Sequence, residues 1–451
     1  MVPAYQSIFM HPSFIQALFF LSAGIAVIIV LTTKYRVHAF FALLIACFVV
    51  GLGVQLSFSD IITAAKAGFG RIMQSLGLII VLGIALGVLL EHSGCTRVMA
   101  NFIIKKTGEK RAPLAITITG FIVGLPVFCD SAYIVLNGLN LSLAKRTRVS
   151  VIVMAVPLAV SAYSVHCLIP PHPGAAAAAA TMGVEFGKLI LFGVALAIPA
   201  TIAGYLWAVY MGRKLPAVAA KTEHIMDRKA GPPVFMSFVP VVVPVALIAV
   251  NSLFTLQEKP TTILHSIFAV AGDPVIALTI GVLLVFTTLR HWTRNEISKL
   301  LQESAEKAGS ILVIIGAGGA FGAVLMAAGI GDHFSQLMNL KSAGIFFPFL
   351  LTFILKTAQG SSTVAIITAS SIVLPLLGAL GLDSSNGRLL SILAMGAGSM
   401  MISHANDGYF WVISKFSGLD MRAMLKTYSV ATILMGLVTF LIVYILSLAI
   451  L

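Results

Sequence analysis

Long apolar runs recur from one end of the chain to the other. A helix needs roughly 20 apolar residues to cross the hydrocarbon core of a bilayer. Runs of that kind occur at residues 14–32, 38–57, 75–92, 149–169, 189–211, 234–252, 274–289, 309–330, 389–404 and 427–450. Of the 451 residues, 59% are apolar and 10% are charged, whereas about a quarter are charged in a soluble domain. The sequence therefore excludes a water-soluble enzyme and predicts an all-α integral membrane protein with about 10 transmembrane helices.

Two further apolar regions, residues 112–144 and 344–380, are interrupted in the middle by small and polar residues. The interruptions read PVFCDSAY at 126–133 and KTAQGSST at 356–363. Each arm is too short to cross a bilayer, and irregular backbone at membrane depth is tolerated only where it is buried in protein or lines a cavity. We therefore predict two re-entrant helical hairpins, each of which enters and leaves on the same side of the membrane.

The net charge of +13 does not indicate a nucleic-acid partner, because the Lys and Arg residues lie between the apolar runs without a basic repeat or finger spacing. Cytoplasmic loops of membrane proteins carry an excess of Lys and Arg. With the N-terminus outside and both hairpins re-entrant, 22 basic residues fall inside and 6 outside, and Lys356 lies within the membrane. This predicts a multi-pass protein of the cell (inner) membrane, in contact with lipid, with both termini on the periplasmic or extracellular side.

An internal repeat relates the two halves of the chain. The segment GVLLEHSG at 87–94 is similar to GAVLMAAG at 322–329. Each segment is followed by one of the hairpins and then by a span that ends at a histidine, His166 or His404. Because the two copies are predicted to run in opposite directions, they form an inverted repeat of the kind found in secondary transporters.

The repeat also defines the domain organisation that the sequence predicts. Residues 1–211 form an N-terminal membrane half with the first hairpin, and residues 233–451 form a C-terminal half with the second. The basic stretch 212–232 is a cytoplasmic linker between the halves. The amphipathic stretch 290–308 is interpreted as a second linker.

Five ionisable side chains fall on the hairpins or at the ends of the spans that follow them. They are Asp130, His166, Lys356, His404 and Asp407. An ionisable group inside a bilayer is costly unless it is paired or hydrated, and it marks a functional site by default. We interpret Asp130, at the tip of the first hairpin beside Ser131, as a proton carrier that also accepts hydrogen bonds from substrate hydroxyls. The alternative is a fixed Asp130–Lys356 ion pair that braces the two hairpins.

The second hairpin carries the strongest candidate for substrate contact. Gly360 interrupts the helix, and the hydroxyl residues that follow it are suited to cap the next arm; they are Ser361, Ser362 and Thr363. A helix N-terminus that points at the middle of the membrane presents free N–H groups and the positive end of its dipole to an anion. The amide of Gln359 would add neutral hydrogen bonds. This tip is predicted to bind an anionic, hydroxylated substrate.

Helix-breaking residues follow His166 at the end of its span. The prolines of Pro170-Pro171-His172-Pro173-Gly174 free backbone carbonyls, which a membrane protein tolerates only beside a cavity or water. Because histidine titrates near neutral pH, His166 is a candidate both for substrate binding and, with Asp130, for proton coupling. His172 is expected at the outer membrane interface.

The second half has a matching interruption at His404-Ala405-Asn406-Asp407-Gly408. Asn406 and Gly408 favour a turn. His404 and Asn406 are predicted to contact the substrate. Asp407 is a further candidate for proton coupling, and it either orients His404 or caps the next helix.

At these residues the chain resembles the gluconate permease (gluconate:proton symporter) family, which belongs to the wider ion transporter superfamily. The similar stretches are His166 with Pro170-Pro171-His172-Pro173-Gly174, Ala358-Gln359-Gly360-Ser361 with Thr363-Val364-Ala365, and Ser403-His404 with Asn406-Asp407 and Phe410-Trp411. Their order and spacing extend the likeness nearly end to end. The resemblance implies a proton-coupled symporter of small hydroxylated carboxylates and, through the superfamily, a homodimer with an elevator mechanism.

The chain departs from the family pattern at the tip of the first hairpin. The family has an acidic residue followed by Val-Gly, whereas this chain has Cys129-Asp130-Ser131-Ala132-Tyr133. The resemblance therefore implies the family's role for the acidic residue Asp130, but it does not imply that gluconate is the substrate. A shorter hydroxy acid such as glycerate, a hydroxy amino acid such as D-serine, and coupling to Na⁺ in place of H⁺ stay open.

Motifs of membrane enzymes are missing from the sequence. There is no HExxH or GxSG string, and the GxGD string at 329–332 has no Tyr-Asp partner. The four cysteines lack metal-ligand spacing. We therefore expect a secondary transporter of a sugar acid, without cofactor or metal, and not an enzyme. An intramembrane hydrolase and a channel are the remote alternatives.

Overall fold

The computed structural model describes residues 14–108, 111–215, 231–255, 263–288, 292–329, 342–404 and 407–451. Regular structure within these ranges is helical, without a β-strand. The apolar composition explains this, because in a bilayer every backbone N–H and C=O must be hydrogen-bonded internally, and a helix does so within one segment. The predicted all-α architecture is confirmed.

The described part of the first half contains nine helices. They are α1 (Phe14–Thr33), α2 (Ala39–Gly53), α3 (Phe58–His92), α4 (Cys95–Thr107), α5 (Ala112–Gly124), α6 (Cys129–Thr147), α7 (Val151–Leu168), α8 (Pro173–Met182) and α9 (Phe186–Lys214).

The described part of the second half contains eleven helices. They are α10 (Val234–Thr255), α11 (Ile263–Ala271), α12 (Pro274–Phe286), α13 (Arg294–Ala327), α14 (Phe346–Gln359), α15 (Ser362–Val373), α16 (Leu377–Leu380), α17 (Ser385–Met400), α18 (Gly408–Ser417), α19 (Met421–Met424) and α20 (Val430–Ile450). A 3₁₀ turn precedes α16, and a π-helical segment over 425–429 precedes α20.

Each of the ten predicted spans overlaps one helix, namely α1, α2, α3, α7, α9, α10, α12, α13, α17 and α20. By length and composition, eight helical segments among the described residues could cross a membrane, so the number of spans stays a prediction. The stretch 290–308, which is interpreted as a linker from the sequence, is helical over most of its length. From Arg294 onward this stretch is the first part of α13, which begins with a capping box formed by Thr293 and Glu296.

Helices α3 and α13, of 35 and 34 residues, form the most extensive helix pair in the described part of the chain. Glycines allow their backbones to approach closely. A Cβ atom on Gly68 would lie 2.2 Å from the carbonyl oxygen of Gly319. Such small-residue contacts are typical of helix packing in membranes, where apolar burial does not itself favour one helix partner over lipid.

The centre of the molecule is the broken helix α7–α8. Every residue of α7 is buried, and eight of the ten residues of α8 are buried. Helices α5, α6, α9 and α17 pack around α7. The alanine run at 175–180 supplies the small side chains that this crowded position requires. The first hairpin therefore lies directly against the core.

Both predicted hairpins consist of two helices with a short break between them. Helices α5 and α6 are separated by residues 125–128, and α14 and α15 by residues 360–361. Helices α5 and α14 have 13 and 14 residues, fewer than a bilayer crossing needs, and so do α2 and α12, with 15 and 13 residues. Re-entry from one side of the membrane, the two-half division and the orientation of the termini stay predictions. Most of the predicted linker 212–232 lies outside the described residues.

Candidate functional site

The second hairpin turns at Gly360, whose φ angle is +83°. Glycine adopts this left-handed conformation freely, whereas an L side chain there costs roughly 1–2 kcal/mol. Gly360 thereby ends α14, and its N–H donates to the Lys356 carbonyl oxygen. Ser361 then caps α15, since its Oγ accepts a hydrogen bond from the Val364 N–H at 3.3 Å. The helix N-terminus predicted at this tip is present.

Lys356 is completely buried and joins the second hairpin to the second broken helix. Its Nζ donates to the Gly360 carbonyl oxygen at 2.6 Å and to Oδ2 of Asp407 at 2.8 Å. A buried ammonium is tolerated because these two oxygens replace its hydration. The alternative interpretation of a fixed Asp130–Lys356 pair is therefore wrong, because the partner of Lys356 is Asp407.

Asp407 lies in the interruption between α17 and α18. Its Oδ1 accepts a hydrogen bond from the Tyr409 N–H at 2.9 Å, so it caps α18. Its Oδ2 accepts from both Lys356 and the hydroxyl of Ser403. The sequence predicts that Asp407 either orients His404 or caps the next helix, and its contacts show that it caps α18. His404 is partly exposed, and Asn406 lies outside the described residues.

His166 and His172 flank the interruption of the first broken helix, with ring centroids 4.8 Å apart. Nε2 of His166 lies 3.3 Å from Oγ1 of Thr363, in the first turn of α15. His172 is buried, and its Nε2 lies 2.8 Å from the Gly124 carbonyl oxygen at the end of α5. Its ring thereby satisfies a backbone carbonyl that the end of α5 leaves free. The expected position of His172 at the outer membrane interface stays a prediction.

Asp130 and Ser131 lie in the first turn of α6, at the tip of the first hairpin. The Asp130 side chain is exposed and Ser131 is partly exposed. Sγ of Cys129 lies 3.5 Å from Oδ1 of Asp130. Among the described residues no ion pair includes Asp130. The Asp407 carboxylate is close enough to interact with it electrostatically, so the tip of the first hairpin lies near the second broken helix.

The four helix interruptions therefore meet. The second hairpin contacts the first broken helix through Thr363 and His166, and the second broken helix through Lys356 and Asp407. The first hairpin contacts the first broken helix at its own interruption, since the Phe128 ring centroid lies 6.1 Å from that of His166 and 6.0 Å from that of His172. Residues from both halves of the sequence thus build one polar region inside an apolar protein.

Two of the predicted site residues have buried polar atoms without a hydrogen-bond partner in the described part of the chain. They are the Gln359 amide, at both Nε2 and Oε1, and Nδ1 of His166. An unpaired buried donor or acceptor costs about 1–3 kcal/mol, so native proteins rarely leave one unused. Together with the hydroxyls of Ser361, Ser362 and Thr363, these atoms could bind a polar ligand.

Four buried tyrosines surround this region and were missed by the sequence reasoning. The rings of Tyr163 and Tyr409 have centroids 5.7 Å apart, and Tyr133 and Tyr428 pack against the Tyr409 ring. The Tyr163 hydroxyl donates to the Ser399 carbonyl oxygen at 3.0 Å. The spacing of Tyr163, one turn before His166, could have identified it. No group of three or more His, Cys, Asp or Glu suited to a metal occurs among the residues with described positions.

Comparison with known proteins identifies the family of this chain. The family model "GntP family permease" matches residues 16–449. The chain belongs to the GntP family of permeases. The permease is 31% identical over 431 residues to a gluconate permease of Pseudomonas aeruginosa, which covers 93% of this chain and 95% of that protein. It is 30% identical over 422 residues to a D-serine transporter of Escherichia coli O6:H1, with 91% and 94% covered.

Solved structures support the same fold. The permease superposes on the YdaH transporter of Alcanivorax borkumensis with a TM-score of 0.62 at 14% identity, and the match covers 87% of this chain and 88% of that one. At this identity the likeness concerns the fold alone. The permease is thus a multi-pass membrane transport protein and not an enzyme, as the sequence predicted.

Proposed function

We propose that this permease is a secondary active transporter that imports a small hydroxylated carboxylate, such as gluconate or a related sugar acid, by proton symport. Membership of the GntP family and the likeness to a gluconate permease support the substrate class. The chemistry of the polar region supports it independently, because a helix N-terminus with neutral hydrogen-bond donors suits an anionic polyol.

The single observation that carries the proposal is the unpaired Gln359 amide beside the start of α15. An amide offers both a donor and an acceptor, the pair of functions that a hydroxyl group needs. The first-turn N–H groups of α15 and the hydroxyls of Ser361 to Thr363 would take the carboxylate. We assign the substrate hydroxyls to Gln359, Ser131 and His166, with His404 and Asn406 as further contacts.

We assign the proton to Asp130. The charge of Asp407 is already balanced by Lys356, whereas Asp130 has no cationic partner among the described residues. A carboxylate without a fixed counter-ion can gain and lose a proton during the transport cycle. His166 and Asp407 are the remaining candidates for proton coupling.

A hydroxy amino acid is the second candidate substrate, and glycerate the third. The D-serine transporter is about as similar to this chain as the gluconate permease is. D-serine would place its carboxylate at the same helix start, and its ammonium could pair with Asp130. A sugar acid has no cationic group and cannot form this ion pair, so the two substrate classes predict different effects of Asp130 substitution on binding.

Uptake into proteoliposomes tests the proposal. With an inward proton gradient, labelled gluconate should accumulate inside the proteoliposomes. The inhibition of this uptake by unlabelled gluconate, glycerate, other aldonates and D-serine then ranks these compounds by affinity. Dissipation of the gradient by a protonophore should stop accumulation. An uptake rate that does not depend on the proton gradient would contradict proton symport. Competition by D-serine alone would favour a hydroxy amino acid as the substrate.

The binding role of Gln359 has its own test. The Gln359→Ala variant should lose affinity for the substrate, whereas Gln302→Ala, which removes the same amide from an exposed position on α13, should behave as wild type. The assembly that we propose, a homodimer with an elevator movement in the inner membrane, is tested by cross-linking of engineered cysteines and by labelling of the termini from the periplasmic side.

A further inference from the structure

Lys356 carries a buried positive charge that has no role in the substrate binding proposed above. The side chain has no exposed surface and points from the last turn of α14 toward the interruption of the second broken helix. A buried ammonium costs several kcal/mol unless oxygen atoms replace its hydration shell. The oxygen atoms that contact the ammonium therefore indicate which other cation could occupy the same position.

The ammonium is held by two oxygens of the kinds that bind a small cation. It donates to a backbone carbonyl oxygen, that of Gly360 at 2.6 Å, and to a carboxylate oxygen of Asp407 at 2.8 Å. The Ser403 hydroxyl bonds the same carboxylate oxygen. In broken helices of transporters, carbonyls at the C-terminal end of a half-helix are typical ligands of a coupling cation, because the helix dipole is negative there.

We propose that Lys356 is a tethered cation that fills an alkali-metal site between the second hairpin and the second broken helix. In the wild-type permease this site therefore takes no Na⁺. When a substitution removes the ammonium, a monovalent ion binds in its place. Its ligands are the Gly360 carbonyl, the Asp407 carboxylate and the Ser403 hydroxyl.

Charge balance specifies a monovalent ion. One carboxylate and two neutral oxygens compensate one positive charge, which is what Lys356 supplies and what Na⁺ or Li⁺ would supply. The other titratable groups close to the pair are His166, Cys167 and Tyr163 of α7, Asp130 and Cys129 of α6, and Tyr428. None of these replaces Asp407 as the direct partner of Lys356 among the described contacts.

The test is the thermal unfolding of purified protein in detergent as NaCl replaces choline chloride at constant ionic strength. The Tm of the wild type should not respond to Na⁺. The Tm of Lys356→Ala should rise with Na⁺, by about 2 °C when Na⁺ reaches roughly ten times its dissociation constant. The double variant with Asp407→Asn should lose this response, and Lys415→Ala, which removes an exposed lysine of α18, should match the wild type.

If Lys356→Ala does not fold, the same Tm measurement is made on Lys356→Ser, which adds a hydroxyl ligand to the site. A folded Lys356 variant without a Na⁺ response overturns the inference, and so does a wild-type Tm that rises with Na⁺. If neither variant folds in either salt, the wild-type measurement decides. The inference rests on the proposed transport function only in naming a coupling cation. The Tm readout involves no substrate, so a failure of the uptake experiments would not affect it.

Discussion

Oγ1 of Thr363 lies 3.3 Å from Nε2 of His166, although the two residues are 197 positions apart and belong to opposite halves of the sequence. Thr363 is in the first turn of α15, and His166 is in the last turn of α7. The start of α8 is equally close, since a Cβ atom on Gly174 would lie 3.3 Å from the Thr363 Cα. A ligand at the α15 N-terminus would therefore touch both halves of the permease at once.

Removal of the Thr363 hydroxyl should weaken substrate binding. Because one neutral hydrogen bond contributes about 1 kcal/mol, Thr363→Val should raise the KM for uptake by about fivefold. The measurement is initial uptake rate against substrate concentration in proteoliposomes. Thr107→Val is the control, since its hydroxyl bonds only the Ile103 carbonyl on α4, and its KM should not change. Equal KM values for both variants would contradict a binding role for Thr363.

A side chain on Gly360 should destabilise the second hairpin. The φ angle of +83° is unfavourable for alanine by about 1–2 kcal/mol, so Gly360→Ala should lower the Tm and reduce uptake. Gly138→Ala is the matched control, because Gly138 lies inside α6 with open space at its Cβ position. That variant should unfold at the wild-type temperature or above it. A Gly360→Ala protein as stable as wild type would refute the helix interruption.

The Lys356–Asp407 pair should show strong coupling in a double-mutant cycle. Lys356→Met or Asp407→Asn alone leaves one buried partner unpaired and should cost about 3–5 kcal/mol of unfolding free energy. The double variant should cost less than the sum of the two, because no charge is then left alone. As a control, Lys307 and Glu303 on α13 lie 2.6 Å apart on the surface, and their coupling should stay below about 1 kcal/mol. Additive effects at positions 356 and 407 would argue against the pair.

Neutralisation of Asp130 should separate proton-driven uptake from exchange. Asp130→Asn keeps the shape of the side chain but cannot carry a proton, so accumulation against a gradient should be lost while counterflow exchange of the substrate continues. Both are measured with labelled substrate in proteoliposomes. Asp383→Asn, at an exposed loop position, should accumulate substrate as the wild type does. Intact accumulation by Asp130→Asn would assign the proton to another residue.

Local sequence signals predicted the elements of this region well. The helix break at Gly360 and the cap by Ser361 follow from residue types within one turn, because glycine tolerates a positive φ and a serine oxygen can accept a first-turn N–H. The ten apolar runs each correspond to a helix for the same reason, since a single segment satisfies its own backbone. The start of α13 was missed because a charged, amphipathic stretch can continue a helix beyond its apolar part.

The amino-acid sequence by itself determined that the protein is a helical membrane permease with interrupted helices, because lipid permits few backbone conformations and each interruption has a local cause. Only the tertiary structure decided which charges are partners. Asp130 was the only partner considered for Lys356 from the sequence, whereas the observed pairing with Asp407 depends on the distance between α14 and the start of α18. The burial of His172 against the end of α5 was decided in the same way. Such contacts between segments far apart in the chain depend on packing, which no local pattern encodes.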